Sequence, residues 1–258
     1  MYTDLQLREI FHIEFLRWLG RKLKPNQYAL KGGVNLRLFF GSIRYSEDLD
    51  IDVMHVAVAT LKKNVMQILE NQSFLYALKA FGIGAIQPPD LTKAKQTETT
   101  QRFKIHLKAS NGLDLFTKIE CSRREQPGET DVGVVGDLIL KRYKISPVLI
   151  PHYHAPSVVV QKLGALTGRT VVQARDVFDL YLLSSQISET ELCRVEVNQS
   201  LLKKAYERVM EIDFQGYKAA VVSFLSPEDQ RVYGERSSWG NIQSKVLGLL
   251  EALGHEKN

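Results

Sequence analysis

Three acidic residues that alternate with apolar ones are the first candidates for chemistry in this sequence. Leu49 and Ile51 separate Asp48, Asp50 and Asp52. Strict alternation is the period of a β-strand, so the three carboxylates should project from one face of a sheet. Carboxylates held this close repel one another unless a cation lies between them. Hard cations with oxygen ligands, above all Mg²⁺, suit such a set, usually together with substrate phosphates.

A pair of glycines, Gly32 and Gly33, precedes the acidic segment by about fifteen residues. The pair lies between a short apolar run at 28–30, which predicts a strand, and a helix-like run at 34–40. Glycine lets the backbone approach a ligand closely, and the N-terminus of a helix offers free N–H groups to phosphate. Glycines at such turns are mostly structural, but followed by the acidic strand they outline a nucleotide site.

A β-hairpin is predicted farther along the chain. Residues 103–107 and 113–119 alternate apolar and polar side chains on either side of Asn111-Gly112, the strongest short-range pattern for a hairpin. Glu120 ends the second strand, which could pair beside the acidic strand and add a third carboxylate. On pattern alone Asp114, nearer the turn on the same face, remains a rival candidate.

The glycines and acids together resemble the signature of a known family, the nucleotidyltransferase toxins of the AbiEii/AbiGii group. These toxins are distant members of the DNA polymerase β-type superfamily. The pattern of that superfamily is a hydrophobic residue, a glycine followed by glycine or serine, two acids one residue apart and a third acid on a later strand. The residues that carry the resemblance are Gly32, Gly33, Arg44, Ser46, Asp48 and Asp50. The resemblance makes Glu120 the match for the third acid.

The same resemblance implies an α/β (α+β) fold in two domains. Residues 1–150 would form the polymerase β-like nucleotidyltransferase domain, in which a small mixed sheet carries the acids. Residues 151–258 would form a helical domain that closes over the nucleotide.

A second motif lies in the predicted helical half. The segment KLGALTGRTVVQARDVFDLYLL resembles the C-terminal motif of the toxin family through Lys162, Arg169, Arg175, Asp176 and Asp179. Lys162 can neutralise a triphosphate as a flexible point charge, and Asp176 could orient that lysine or accept a proton. Two helices joined by ion pairs are the alternative interpretation, and we assign Asp179 to it.

The resemblance implies attack of an acceptor hydroxyl on the α-phosphate of a nucleoside triphosphate, with release of pyrophosphate. Asp48, Asp50 and Glu120 would hold two Mg²⁺ ions, with Mn²⁺ as an alternative. The other candidate site residues would bind the nucleotide: Gly32, Gly33, Arg44, Ser46 and Lys162.

The acceptor implied by the resemblance is RNA, plausibly the 3′ end of a tRNA, and the chain would be the toxin of a two-gene, type IV-like or abortive-infection module with an antitoxin as partner. Nothing in the sequence itself identifies the acceptor or the preferred base. Basic residues that could contact the RNA backbone are Lys104, Lys108, Lys118, Arg123 and Arg124.

Two other functions fit the same acids. A D-x-D motif also binds metal and nucleotide-sugar in glycosyltransferases, although such an enzyme needs neither the Gly32-Gly33 cradle nor Glu120. The chain could also be a module that binds nucleotide or RNA without catalysis.

Composition limits the class of protein. The chain has 258 residues, of which 44% are hydrophobic, so it can bury a sizeable core. Its net charge of +5 suits a phosphate-bearing partner. Cys121 and Cys193 lack metal-like or redox-like spacing. The N-terminus lacks the pattern of a signal peptide and no window is apolar enough to span a membrane, so a cytoplasmic protein without membrane association is expected.

Several further expectations concern local structure. Residues 4–23 predict an amphipathic helix whose exposed face carries His12 and Glu14, and Arg37 is also expected to be exposed. The tract 82–101 is predicted to be a loop. Ser157 is expected to cap a helix, and a zinc site at His152 and His154 is disfavoured.

Overall fold

The computed structural model describes residues 2–92, 94–123 and 128–255, and the chain divides into two compact units. The first unit comprises Met1–Phe39 and Tyr45–Tyr153, and the second comprises Phe40–Arg44 and His154–Asn258. The sequence-based division at residue 150 did not separate the segment 40–44, which packs with the second unit.

The first unit, within the described residues, is built on a seven-stranded mixed sheet. Its strands are β1 (Tyr28–Lys31), β2 (Asp48–Val53), β3 (Ile83–Gln87), β4 (Thr100–Ala109), β5 (Asp114–Ser122), β6 (Thr130–Val134) and β7 (Leu149–Tyr153). Their spatial order is β3-β4-β5-β2-β1-β7-β6. Strands β2 and β5 run parallel, as do β1 and β7, while the other neighbouring pairs are antiparallel. The predicted mixed α/β fold is confirmed, with a larger sheet than expected.

Helices of the first unit accompany the sheet. They are α1 (Asp4–Leu19), α2 (Gly32–Phe39), α3 (Val58–Leu69), α4 (Gln72–Lys79) and α5 (Asp137–Tyr143). Thr3 is the N-cap of helix α1, and its side chain accepts a hydrogen bond from the backbone N–H of Gln6 in a capping box. Helices α1, α3 and α4 contact one another, and α1 also contacts β5.

The core of the first unit follows from the alternation of its strands. Leu49 and Ile51 are fully buried, as predicted. The hairpin of β4 and β5 buries every second side chain in the same way, and Gly112 takes a positive φ of 87° in the predicted turn. The opposite side of the sheet, called the polar face below, carries Asp48, Asp50, Asp52, Lys118 and Glu120.

Three charged or titratable residues expected at the surface are buried instead. His12 is 1% exposed, and its Nε2 lies 2.8 Å from Thr117 Oγ1. Burial lowers the pKa of His12 to about 3, and the positive charge of Arg8 adds to the shift. Arg37 is 8% exposed and donates from Nε to Glu9 over 2.6 Å. Glu14 is 6% exposed and pairs with Arg17. The exposed-face prediction was wrong because each of these groups has a polar partner inside the fold.

Two edges of the sheet were not predicted as strands. The tract 82–101 contains β3, which pairs antiparallel with β4, and its last two residues begin β4, so the loop prediction was wrong for residues 83–87 and 100–101. The glycine-containing stretch before Gly136 contains β6, which pairs with β7. His152 lies in β7 with its ring stacked on Phe39 at a centroid distance of 3.7 Å.

The second unit is helical over its described residues. Its helices are α6 (Ala155–Gly168), α7 (Ala174–Ser184), α8 (Glu189–Leu192), α9 (Gln199–Met210), α10 (Phe214–Ala220), α11 (Pro227–Tyr233) and α12 (Arg236–His255). The N-cap of α6 is His154, and Pro156 lies in the first turn, so the prediction that Ser157 caps this helix was wrong. Tyr217 stacks on Trp239 in the core of this unit. No helix within the described ranges is long and apolar enough to cross a membrane.

Candidate active site

Strand pairing brings two of the predicted acids side by side. In the parallel register of β2 and β5, Asp50 lies opposite Glu120 and Asp48 lies opposite Lys118. Neighbouring strands are about 4.8 Å apart, so these side chains emerge next to each other on the polar face. Asp114 is six residues from Glu120 along β5, roughly 20 Å at the rise of a strand. The register therefore favours Glu120 over Asp114 as the third acid.

Two cations hold the outer carboxylates of this group. The ammonium of Lys118 lies 3.0 Å from Asp48 Oδ2 and 3.6 Å from Glu120 Oε2. On the other side Arg102 Nε donates to Glu120 Oε2 over 2.7 Å. Burial by itself would raise the pKa of Glu120, but Arg102 and Lys118 outweigh it and hold that pKa below its ordinary value. Burial disfavours the charged Lys118, yet Asp48 and Glu120 raise its pKa.

Asp50 lies at the centre of the same group. Burial, reinforced by the neighbouring charges of Glu120 and Asp48, raises the pKa of the Asp50 carboxyl, while Lys31 and Lys118 partly oppose the shift. Lys31 itself is committed elsewhere, because its ammonium lies 2.5 Å from Asp52. A bound cation would therefore stabilise the charged form of Asp50, which burial disfavours.

Asp52 is buried and paired with other side chains. Its side chain is 1% exposed. Lys31 contacts Oδ1, and the hydroxyl of Tyr153 donates to Oδ2 over 2.8 Å. These bonds join β1, β2 and β7 beside the acids, so Asp52 is occupied in holding the sheet together.

The acids fit a hard cation in donor type but not in their present arrangement. Asp48, Asp50 and Glu120, called the acidic cluster below, offer only carboxylate oxygens, the ligands that Mg²⁺ and Mn²⁺ take. In the part of the chain that the structure describes, no three His, Cys, Asp or Glu side chains are placed so that they could hold a metal. To bind a metal ion, Asp48 and Glu120 would have to give up their contacts with Lys118 and Arg102.

The turn between β1 and α2 explains the first glycine. Gly32 has a φ of +70°, which L side chains rarely adopt. A Cβ on Gly32 would meet Asp50 Oδ2 at 2.7 Å. The backbone at the start of α2 therefore lies directly against the acidic cluster, where a helix N-terminus can bind phosphate. Ser46 Oγ donates to the carbonyl of Asp48 over 2.9 Å and so fixes the start of β2.

Replacing Gly32 with alanine should disturb the acidic cluster directly. We expect a loss of about 1–2 kcal/mol in the free energy of unfolding from the left-handed backbone, together with a tenfold or larger fall in any transferase activity, because Asp50 must move. Gly41→Ala is the matched control, since Gly41 has a φ of +63° but open space around its Cβ position. Equal activity losses in the two variants, measured at equal folded fraction, would remove the special role of Gly32.

The second motif forms a buried ion cluster within the second unit. Lys162 on α6 places its ammonium 3.1 Å from Asp176 Oδ1 and 2.5 Å from Asp179 Oδ2, both on α7. Arg44 donates through its guanidinium to both oxygens of Asp179 at 3.0 Å. Arg169 Nε lies 3.1 Å from Asp176 Oδ2. Four of the five motif residues, Lys162, Arg169, Asp176 and Asp179, thus contact one another, and Arg44 joins them.

Oppositely charged neighbours keep Asp179 and Lys162 charged in spite of their burial. Burial alone would raise the pKa of Asp179, but Arg44 and Lys162 outweigh it and keep the pKa below its ordinary value. Burial likewise opposes the charged form of Lys162, and Asp179 and Asp176 reverse the effect and raise its pKa. Asp179 is therefore a charged hub between two cations. Arg175 is exposed.

The candidate residues thus form two groups. Asp48, Asp50, Glu120, Gly32 and Ser46 lie together in the first unit, and Arg44, Lys162 and Asp176 lie together in the second. Sequence reasoning missed that Lys118 and Arg102 contact the acids. Lys118 is two residues before Glu120, and the alternation that places Glu120 on the polar face places Lys118 there too.

The other basic candidates differ in availability. Lys104 and Lys108 are exposed on β4. Arg123 donates from Nη2 to the carbonyl of Val56 and to Oε1 of Gln101, so this part of its guanidinium is occupied. Arg124 lies outside the described residues.

Comparison with known proteins identifies related sequences and folds. Residues 14–252 match the family model described as "Nucleotidyl transferase AbiEii toxin, Type IV TA system". The fold resembles MenT4, a nucleotidyltransferase toxin from Mycobacterium tuberculosis, with a TM-score of 0.64 and 17% identity over 98% of this chain and 84% of that one. It also resembles JHP933 from Helicobacter pylori, with a TM-score of 0.59 and 21% identity over 99% and 97% of the two chains. No curated protein matches the sequence.

Proposed function

Because the chain belongs to the AbiEii family of nucleotidyltransferase toxins, we propose that it transfers a nucleoside monophosphate from a nucleoside triphosphate to an acceptor hydroxyl, releasing pyrophosphate. The observation that carries the proposal is the pairing of Asp50 with Glu120 across β2 and β5, against the backbone of Gly32. This arrangement puts oxygen ligands and a helix N-terminus at one place, as a metal-bound triphosphate requires.

In this proposal the acidic cluster would hold two Mg²⁺ ions, or Mn²⁺, which would lower the pKa of the acceptor hydroxyl and stabilise the leaving oxygen. The N–H groups at Gly32 and Gly33 would bind phosphate oxygens. Ser46 would keep Asp48 in position through its bond to the Asp48 carbonyl.

The second motif keeps the roles that its residues suggest. Lys162 would neutralise charge on the triphosphate, and Asp176 would orient Lys162, which it contacts at 3.1 Å. Arg44 was expected to bind phosphate, but its guanidinium is engaged with Asp179. We therefore propose that Arg44 acts by holding Asp179, and through it Lys162.

The proposed acceptor is RNA, with the 3′ end of a tRNA as the candidate. Support comes from the polar face of the hairpin, where Phe116 is 63% exposed in mid-strand and stacks on His106 at 4.6 Å. Lys104 and Lys108 flank this pair on β4. Exposed rings among lysines are typical of surfaces on which single-stranded bases stack. Phe116 is four residues from Glu120, about 13 Å along the strand and within the reach of a few nucleotides.

The proposed biological role is that of a toxin in a type IV-like module that acts in the cytoplasm and is controlled by a cognate antitoxin. The family description names a toxin of such a system. Modification of an RNA needed for translation would account for toxicity.

A transfer assay tests the proposed reaction. Full-length protein is incubated with Mg²⁺, total RNA and each α-labelled nucleoside triphosphate in turn, and both label in RNA and released pyrophosphate are measured. We expect both products with at least one triphosphate, and label that RNase removes. Absence of both products with all four triphosphates would refute the proposal.

Two further measurements, nucleotide-sugar turnover and ligand binding, separate the other two functions. Turnover of a nucleotide-sugar that requires Asp50 but not Glu120 would indicate a glycosyltransferase using the D-x-D motif. Saturable binding of nucleotide or RNA without any product would indicate a binding module.

A further inference from the structure

Lys118 forms ion pairs with two carboxylates of the acidic cluster. Its ammonium lies 3.0 Å from Asp48 and 3.6 Å from Glu120, and its side chain is 29% exposed. Both contacts are to carboxylates proposed above as metal ligands. The positive charge of Lys118 therefore neutralises part of the negative charge that a divalent ion would otherwise neutralise.

Two other cations lie near the cluster in the described chain, but neither contacts Asp48 in the way Lys118 does. Arg102 contacts Glu120 but is on β4, farther from Asp48. Lys31 is held by Asp52. Without the Lys118 ammonium, Asp48 would lose this ion pair, and the repulsion within the acidic cluster would rise.

We propose that Lys118 is an exchangeable counter-cation of the acidic cluster, which neutralises Asp48 and Glu120 when no divalent ion is bound and must leave them when one binds. The inference rests on the proposed function only in taking this cluster as the metal site. Ammonium and metal compete because both need the same carboxylate oxygens and because their charges repel at a few ångströms. Lys118 thereby weakens the binding of a bare divalent ion.

The exchange also predicts cooperation between metal and nucleotide. A displaced ammonium needs a new anionic partner, and the phosphates of a bound triphosphate supply one within reach of a flexible lysine stem. Metal should therefore bind the protein much more tightly with a triphosphate than alone. Lys118 would make the site selective for the metal–nucleotide complex over free metal, a coupling between two ligands carried by one side chain.

Binding of Mn²⁺ to the full-length protein, followed by the paramagnetic signal of free Mn²⁺, tests the proposal without any catalytic turnover. The key variant is Lys118→Met, which keeps an unbranched stem of similar length and removes the charge. Lys118→Arg retains the charge at the same position. Lys141→Met is the matched control, because it removes a lysine from an exposed ion pair on α5.

We expect Lys118→Met to lower the Kd for Mn²⁺ by about tenfold or more, whereas Lys118→Arg and Lys141→Met should leave it within about threefold of the parent value. A non-hydrolysable triphosphate should tighten Mn²⁺ binding to the parent more than to Lys118→Met. An unchanged or higher Kd in a Lys118→Met protein with native circular dichroism would overturn the proposal. If that variant does not fold, Lys118→Gln is measured in its place against the same criteria.

The outcome is separable from that of the transfer assay. Tighter Mn²⁺ binding by Lys118→Met, together with no nucleotide transfer by the parent, would support the counter-cation role of Lys118 and reject the proposed reaction. Transfer by the parent, together with an unchanged Mn²⁺ affinity in Lys118→Met, would support the proposed reaction and reject the counter-cation role of Lys118.

Discussion

Replacing Asp50 with asparagine is expected to abolish nucleotide transfer, with a loss of roughly 10³-fold or more, because a metal ligand contributes several kcal/mol to stabilising the transition state. The exchange preserves the shape of the side chain and removes only its charge. Stability should change little or even increase, since burial already disfavours the charged Asp50, as its raised pKa indicates. Activity by the labelled transfer assay and the thermal melt are measured on the same preparation.

The rival acid supplies the control for this prediction. Asp114 lies on the same strand as Glu120, is 57% exposed and contacts His106 rather than the acidic cluster. Asp114→Asn should retain transfer within a few-fold of the parent. Full activity in Asp50→Asn, or an equally large loss in Asp114→Asn, would show that the acids have been assigned incorrectly.

Replacing Asp179 with asparagine is expected to destabilise the second unit by about 3–5 kcal/mol, the usual result of removing one member of a buried ion pair. Asp179 is fully buried between Arg44 and Lys162, which are 5% and 8% exposed. Without the carboxylate, two buried cations would face each other, while Lys162 would keep its contact with Asp176. The loss should be as large in the absence of any substrate, because it concerns folding.

The two tryptophans allow this loss to be assigned to one unit. Trp18 lies in the first unit and Trp239 in the second, so a Trp18→Phe background lets Trp239 fluorescence report urea unfolding of the second unit. The control is Glu211→Gln, which breaks the exposed pair of Arg208 and Glu211 and should cost at most about 1 kcal/mol. A loss of similar size in both variants would contradict the buried-hub interpretation of Asp179.

The parts of the site that were predictable are those that follow from local periodicity. Alternation around Asn111-Gly112 predicted the hairpin, and the structure places Gly112 in the turn with a positive φ. Alternation at Asp48 and Asp50 predicted their shared face. Given both strands, the parallel pairing of β2 with β5 and its register were still required to set Asp50 beside Glu120, and neither follows from local periodicity.

The errors have a common physical origin, which is that buried polar groups depend on partners far away in the sequence. His12 is buried against Thr117, 105 residues later, and Arg44 is buried against Asp179, 135 residues later. A polar residue on an amphipathic helix is usually exposed, and no local pattern reveals such a distant partner. Edge strand β3 was missed for a different reason, since its residues, IGAIQ, carry too short an alternation to stand out.

The chain crosses between its two units three times, and this limits which fragments of the protein can fold alone. The boundary falls after Phe39, after Arg44 and after Tyr153, so no single cut yields two self-sufficient fragments. A fragment starting at His154 would lack Arg44 and would leave Asp179 without its paired guanidinium. Separate expression of the C-terminal half should therefore give an unstable product, whereas supplying residues 40–44 through a redesigned connection to His154 should restore it.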